Sequence, residues 1–291
     1  MRIPRFWAAA EGSTDGPRGV RLFRRMWGWS MSSAAEALDL AEERLRSALA
    51  TLTTGQRVGG YYPRQPLREP ILAEEFADEP GDTQAVVVTR NRYGAEVLST
   101  DRVLIADIDL PGLERPTRSG FLRRLFAQPS PAESPGEPPE VLARLRRLAD
   151  WAAANPQFSV IVYRTASGLR VFVAGLAEPA TSPRGAEILA ELDADPIYRE
   201  LCRAAGTFRA RLTPKPWRLP GLAAPRDRWP LRDAAAEARF ARWLARYEAA
   251  SREYAVCRRL TAHGPAPSGW AAHVIALHDQ RTRADTPLPL A

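Results

Sequence analysis

The sequence predicts a mixed α/β (α+β) fold: a central antiparallel or mixed sheet of about five or more strands, flanked by helices, with a long C-terminal helix. Three observations predict it. Apolar runs with strand character follow closely on one another at residues 85–89, 95–98 and 102–111. A helical stretch at 141–154 is followed by two more such runs, 158–163 and 170–173, around a tight turn. From Asp233 onward, apolar residues recur at helical spacing.

In order along the chain, residues 3–29 are rich in aromatics and arginine (Phe6, Trp7, Phe23, Trp27, Trp29) and read as strand or irregular structure packed on the core. Base stacking is the alternative use of such a stretch. Ser33-Ala-Ala-Glu36 fits a capping box, and Leu38, Ala41, Leu45, Leu49 and Leu52 continue a helix until Gly55. Residues 56–80 read as loop and short strand, with Tyr61 and Tyr62. Strand 85–89 (AVVVT), turn 91–94 (NRYG) and strand 95–98 form a hairpin, which leads into RVLIADIDLP as an antiparallel meander. Residues 111–140 form a proline- and serine-rich connection with a short basic helix at 120–127. The helix at 141–154 stops before Asn155-Pro156. FSVIVY, the turn RTASGL and RVFV make a second hairpin, and helices at 184–192 and 196–205 follow. FRARLTPKPWRLPG (208–221) is basic and too rich in proline for a helix. Asp233 caps a helix running to Leu260, with Phe240, Trp243, Leu244, Tyr247, Tyr254 and Cys257 on one stripe, a core or domain-packing surface. This divides the chain into an N-terminal extension (1–80), a core (81–225) with a flexible proline-rich insert at 128–140, and a C-terminal helix and tail (226–291).

Composition narrows the function classes. The chain has 291 residues, 45% hydrophobic and 26% charged, enough for a sizeable core. No apolar run approaches the length of a membrane span, and the N-terminal residues lack the apolar centre of a secretion signal. Two distant cysteines, Cys202 and Cys257, form neither a disulfide framework nor a metal-ligand cluster, so a cytoplasmic protein is expected. A net charge of +7 permits a polyanionic partner. Of 41 basic residues only Lys215 is lysine, a hint that an amine is needed there.

The chemistry-bearing residues centre on Asp107 and Asp109. Alternation along a strand places both on one face, with Cα atoms about 6.5 Å apart, close enough to converge on a hard cation. Solvated acids at a strand end are the alternative. Downstream, Thr165, Ser167 and Gly168 lie in a turn able to offer backbone N–H groups and a hydroxyl to phosphate, and Arg170 adds a guanidinium fork; an ordinary hairpin turn is the alternative. Lys215, Trp217 and Arg218 in TPKPWR combine phosphate-binding charge with a stacking ring; an anchored loop with its tryptophan buried is the alternative. His278-Asp279 is a base beside a carboxylate; a surface pair or helix-end contact is the commoner use of such a pair.

The order of strand with Asp-x-Asp, helix, strand, Ser-Gly turn and strand resembles the archaeo-eukaryotic primase superfamily over residues 84–220. The resemblance implies an RRM/primase-like core and divalent-metal-dependent nucleotidyl transfer of the primase or polymerase type. It implies Mg²⁺ or Mn²⁺ on Asp107 and Asp109, which would also be catalytic. Thr165, Ser167, Gly168 and Arg170 would meet the triphosphate, and Arg211, Lys215, Trp217 and Arg218 nucleotide or DNA or RNA backbone. The chain departs from the pattern in carrying Arg170 where many relatives have histidine. The third acid has only Asp193 and Asp195 as candidates by position. A non-catalytic nucleic-acid-binding module, or a metal-dependent phosphoesterase or nuclease, are the alternatives.

Overall fold

Residues 6–30 form a long hairpin. Strand β1 (Phe6–Asp15) pairs antiparallel with β2 (Arg21–Ser30), from Phe6 opposite Ser30 to Asp15 opposite Arg21. The computed structural model describes residues 1–16, 19–53, 66–77, 83–110, 113 and 136–291. Among these lie ten strands in three antiparallel sheets and six α-helices. Tyr61, Tyr62, Pro111, the basic helix expected at 120–127 and most of the proline-rich insert lie outside the described residues. The chain forms two compact units, Met1–Asn91 and Arg92–Ala291.

In the first unit, helix α1 (Ala34–Thr53) packs on the hairpin through Ala37, Ala41, Leu45, Ala48 and Leu52. Gly28 permits that approach: a Cβ there would lie 2.1 Å from the Ala37 carbonyl oxygen. Half of the expected capping box is made. The Glu36 amide donates to Ser33 Oγ at 3.2 Å, while the Glu36 carboxylate accepts from Ser30 Oγ at 2.5 Å instead of returning to Ser33. Strand β3 (Ile71–Phe76) pairs with β4 (Gln84–Arg90). Two of the unit's tryptophans, Trp27 and Trp29, lie against its own arginines. Arg25 and Arg68 lie 4.9 and 3.8 Å from the Trp27 ring centre, and Arg44 lies 4.8 Å from that of Trp29.

In the second unit, β5 (Glu96–Thr100) pairs with β9 (Phe208–Arg211). The expected meander ends there, because β6 (Leu104–Asp109) takes β8 (Gly168–Ala174) as its partner. The strands are therefore shared between sheets, and β6 becomes the edge of a four-stranded sheet ordered β10–β7–β8–β6. Strand β7 (Ser159–Thr165) lies in its centre and β10 (Cys257–His263) at its other edge. Every residue of β8 and the first five of β7 are buried, which is why these strands are apolar runs rather than alternating ones.

Helix α2 (Pro139–Ala154) ends at Asn155 as expected; its start at Pro139 closes the proline-rich insert at Pro138. Helices α3 (Pro183–Glu191) and α4 (Pro196–Ala205) are capped by Ser182 and Asp195. Helix α5 (Ala234–Ser251) has Asp233 as its N-cap, but it stops short of the expected Leu260. Arg283 Nη1 donates to the carbonyls of Ser251, Arg252 and Tyr254, which turns the chain out of the helix. Residues 257–263 are then recruited as β10 along β7, a tertiary pairing that overrides their helical spacing. Helix α6 (Gly269–Thr282) follows. No helix among the described residues is long and apolar enough to cross a membrane.

Candidate nucleic-acid interface

Asp107 and Asp109 do share a face of β6, opposite Arg170 and Gly168 of β8. Their surroundings differ from a metal site. Arg170 grips Asp107 with two bonds, Nε to Oδ1 at 2.8 Å and Nη2 to Oδ2 at 3.2 Å. The Arg170 side chain is 1% exposed and that of Asp107 30%. Arg170 therefore lies in the core as the counter-ion of Asp107, not at a surface where a triphosphate would meet it. Burial pulls the Asp107 carboxyl upward in pKa, but the charge and hydrogen bonds of Arg170 outweigh it and hold the group below its ordinary value. Among the described residues no three His, Cys, Asp or Glu side chains gather as metal ligands. Both candidate third acids have other work: Asp195 caps α4 through the Tyr198 amide, and Asp193 pairs with Arg144 at 2.6 Å. With Asp107 bound on both oxygens by Arg170, Arg211 beside it and no third carboxylate among the described residues, these residues do not fit Mg²⁺ or Mn²⁺.

The cross-strand row Asp107–Arg170–Tyr163–Arg259 runs over one face of the sheet. Against it lies His278 of α6, fully buried and not the surface residue its neighbourhood in sequence suggests. Its ring packs 4.9 Å from Tyr163 and 4.6 Å from Phe172. Arg170 Nη1 approaches His278 Nε2 at 3.4 Å, and Nδ1 lies 3.0 Å from Asp279 Oδ1. Arginine can only donate, so Nε2 accepts and Nδ1 carries the hydrogen toward Asp279. Burial pushes the His278 pKa down to about 4, against the opposing pull of Asp279. Cys257 Sγ sits 3.8 Å from Nε2, giving the outline of a Cys-His-Asp triad. The thiol is fully buried and burial pushes its pKa up to about 11, so it is no nucleophile.

The β7–β8 turn is built for its own backbone. Arg164 donates to the carbonyls of Thr165 and Gly168 and pairs with Glu137. The Ser167 carbonyl accepts from the Leu110 amide at 3.1 Å. A Cβ on Gly168 would lie 2.0 Å from the Ile108 carbonyl oxygen, so this glycine admits the neighbouring strand rather than a phosphate. Thr165 and Ser167 remain half-buried beside it.

A different pair of loops presents an aromatic and basic surface. Lys215 precedes a short 3₁₀ turn, Pro216–Arg218, and Trp217 stands 46% exposed. Tyr93, in the turn before β5, meets Trp217 edge to face, with ring centres 5.1 Å apart at 88°. Lys215 Nζ lies 5.9 Å from the Trp217 ring centre, and the Arg92 guanidinium 4.6 Å from that of Tyr93. Both loops rest on α5. Tyr247 donates its hydroxyl to the Pro214 carbonyl at 2.6 Å, and Trp243 fills the space beside Gly94, where a Cβ would lie 2.1 Å from its ring. The positive φ of +87° at Gly94 is thus matched by a second need for glycine. Arg211 follows a different course: its carbonyl accepts from Arg170, its Nε is buried without a partner among the described residues, and burial, then Arg170, push its pKa down to about 10.

No family model, curated protein or solved structure matches the chain. Of those expected from sequence, the structure joins Asp107, Arg170 and Arg211 in one charged cluster, with Arg218 close enough to depress Arg211 further. It sets Lys215 and Trp217 on the exposed platform. Arg92 and Tyr93 were missed, although RNRYG carries the same mix of charge and ring as TPKPWR.

Proposed function

We propose that this protein is a nucleotide- or nucleic-acid-binding module, with its interface on the platform of Arg92, Tyr93, Lys215, Trp217 and Arg218. One observation carries the reading: an exposed tryptophan set against a tyrosine and bordered by cations. Every base offers a face to such rings, and the cations follow the phosphates. The expected partner is single-stranded DNA or RNA, bound with little preference for sequence. Fluorescence anisotropy of a labelled oligonucleotide tests this. Trp217→Ala should weaken binding by about 1–3 kcal/mol, and the affinity should fall with salt. Binding that is absent at low salt, or indifferent to Trp217→Ala, would overturn the reading.

Nucleotidyl transfer through Mg²⁺ or Mn²⁺, the activity implied by the primase resemblance, has Asp107 and Asp109 on one face in its favour. The grip of Arg170 on Asp107 weighs against it, so the binding module is the better supported reading. Incorporation of labelled nucleotide that depended on both aspartates would reverse that order.

A further inference from the structure

We infer that the second unit carries a separate pocket for a small amphiphilic carboxylate, an acyl chain ending in one negative charge. The pocket lies between α3, α4 and the start of β9, and no residue of the proposed platform lines it. Its volume of about 360 Å³ falls within the range of about 300–1,000 Å³ typical of small-molecule sites. The floor is apolar and buried: Ala180, Leu189, Cys202 and Phe208 are each at most 5% exposed. The Cys202 thiol adds to that character, since burial pushes its pKa up to about 12 and keeps it neutral.

The rim supplies the charge. Arg203 is committed to Glu200 through two bonds, at 2.6 and 3.0 Å. Arg199, half-buried on the same wall, forms no ion pair or side-chain hydrogen bond with any other of the described residues. An uncompensated guanidinium over an apolar floor favours a ligand with an apolar body and an anionic end. A neutral apolar ligand would leave Arg199 without a partner. A nucleotide would place a polar sugar on the apolar floor and find no ring among the pocket's rim residues on which to stack.

Calorimetric titration of the full chain with octanoate, and with octanol as its uncharged counterpart, decides the matter. Octanoate should bind saturably. Arg199→Gln should weaken octanoate about tenfold, the loss of one charge-assisted contact, and leave octanol unchanged. Ala186 is exposed at the mouth, so Ala186→Trp should block both ligands without disturbing the core. Far-ultraviolet circular dichroism and melting temperature confirm that each variant is folded. Absence of saturable octanoate binding, retention of it in Ala186→Trp, or equal loss of octanoate and octanol in Arg199→Gln would each overturn the assignment. Oligonucleotide binding by the same variants should stay at the parent level, since neither residue belongs to the platform.

Discussion

Asp107 and Arg170 are unequal partners, and the inequality makes their roles testable. Asp107 retains 30% exposure and can recruit water if its partner is removed, whereas Arg170 at 1% cannot. Asp107→Asn should therefore cost about 3–5 kcal/mol by leaving a charge uncompensated in the core, and Arg170→Met distinctly less. Chemical denaturation of both variants checks the order; a costlier Arg170→Met would show that the pair is not organised as described. His278 sets a pH response of definite sign. Its folded pKa of about 4 lies below the ordinary 6.5, so the unfolded chain takes up the proton first as pH falls. The stability it contributes is complete above about pH 6.5 and is lost between there and pH 4, at up to about 1.4 kcal/mol per pH unit. His278→Phe should flatten the stability profile across that window. An unchanged slope would place the titration elsewhere.

At the scale of elements, the glycines separate tight packing from simple backbone freedom. Gly94 has positive φ and Trp243 against it, whereas Gly206, at φ +61° in the C-cap of α4, has nothing within 4 Å of its missing Cβ. Gly206→Ala should cost about 1 kcal/mol, and Gly94→Ala more, because the Trp243 ring must also shift. Gly94→Ala should weaken oligonucleotide binding as well, by displacing Tyr93. Thermal melts and anisotropy on the two variants compare these costs; equal losses would contradict the packing described. Elements were legible from sequence where a single local pattern decides them. The runs AVVVT and FSVIVY read as strands, and Asp233 reads as a cap. The end of α5 was not legible, since Tyr254 and Cys257 continue its spacing. What stops the helix is Arg283, some 30 residues further on.

For the molecule as a whole, the same distinction explains which parts of the candidate site could be read. TPKPWR announces a ring among cations within six residues. The partner of Asp107 lies 63 residues away and that of Arg170 on α6 another 108, and no spacing rule connects them. The pairing of β6 with β8 sets Arg170 on Asp107, and α6 lays His278 against the same Arg170. Arg170 is a cation attached to the chain. It cannot be chelated, outcompeted by phosphate or starved from the medium, and it is present at one per molecule by synthesis. Asp107 is thus neutralised from within its own chain, by a partner that does not vary with the supply of dissolved metal.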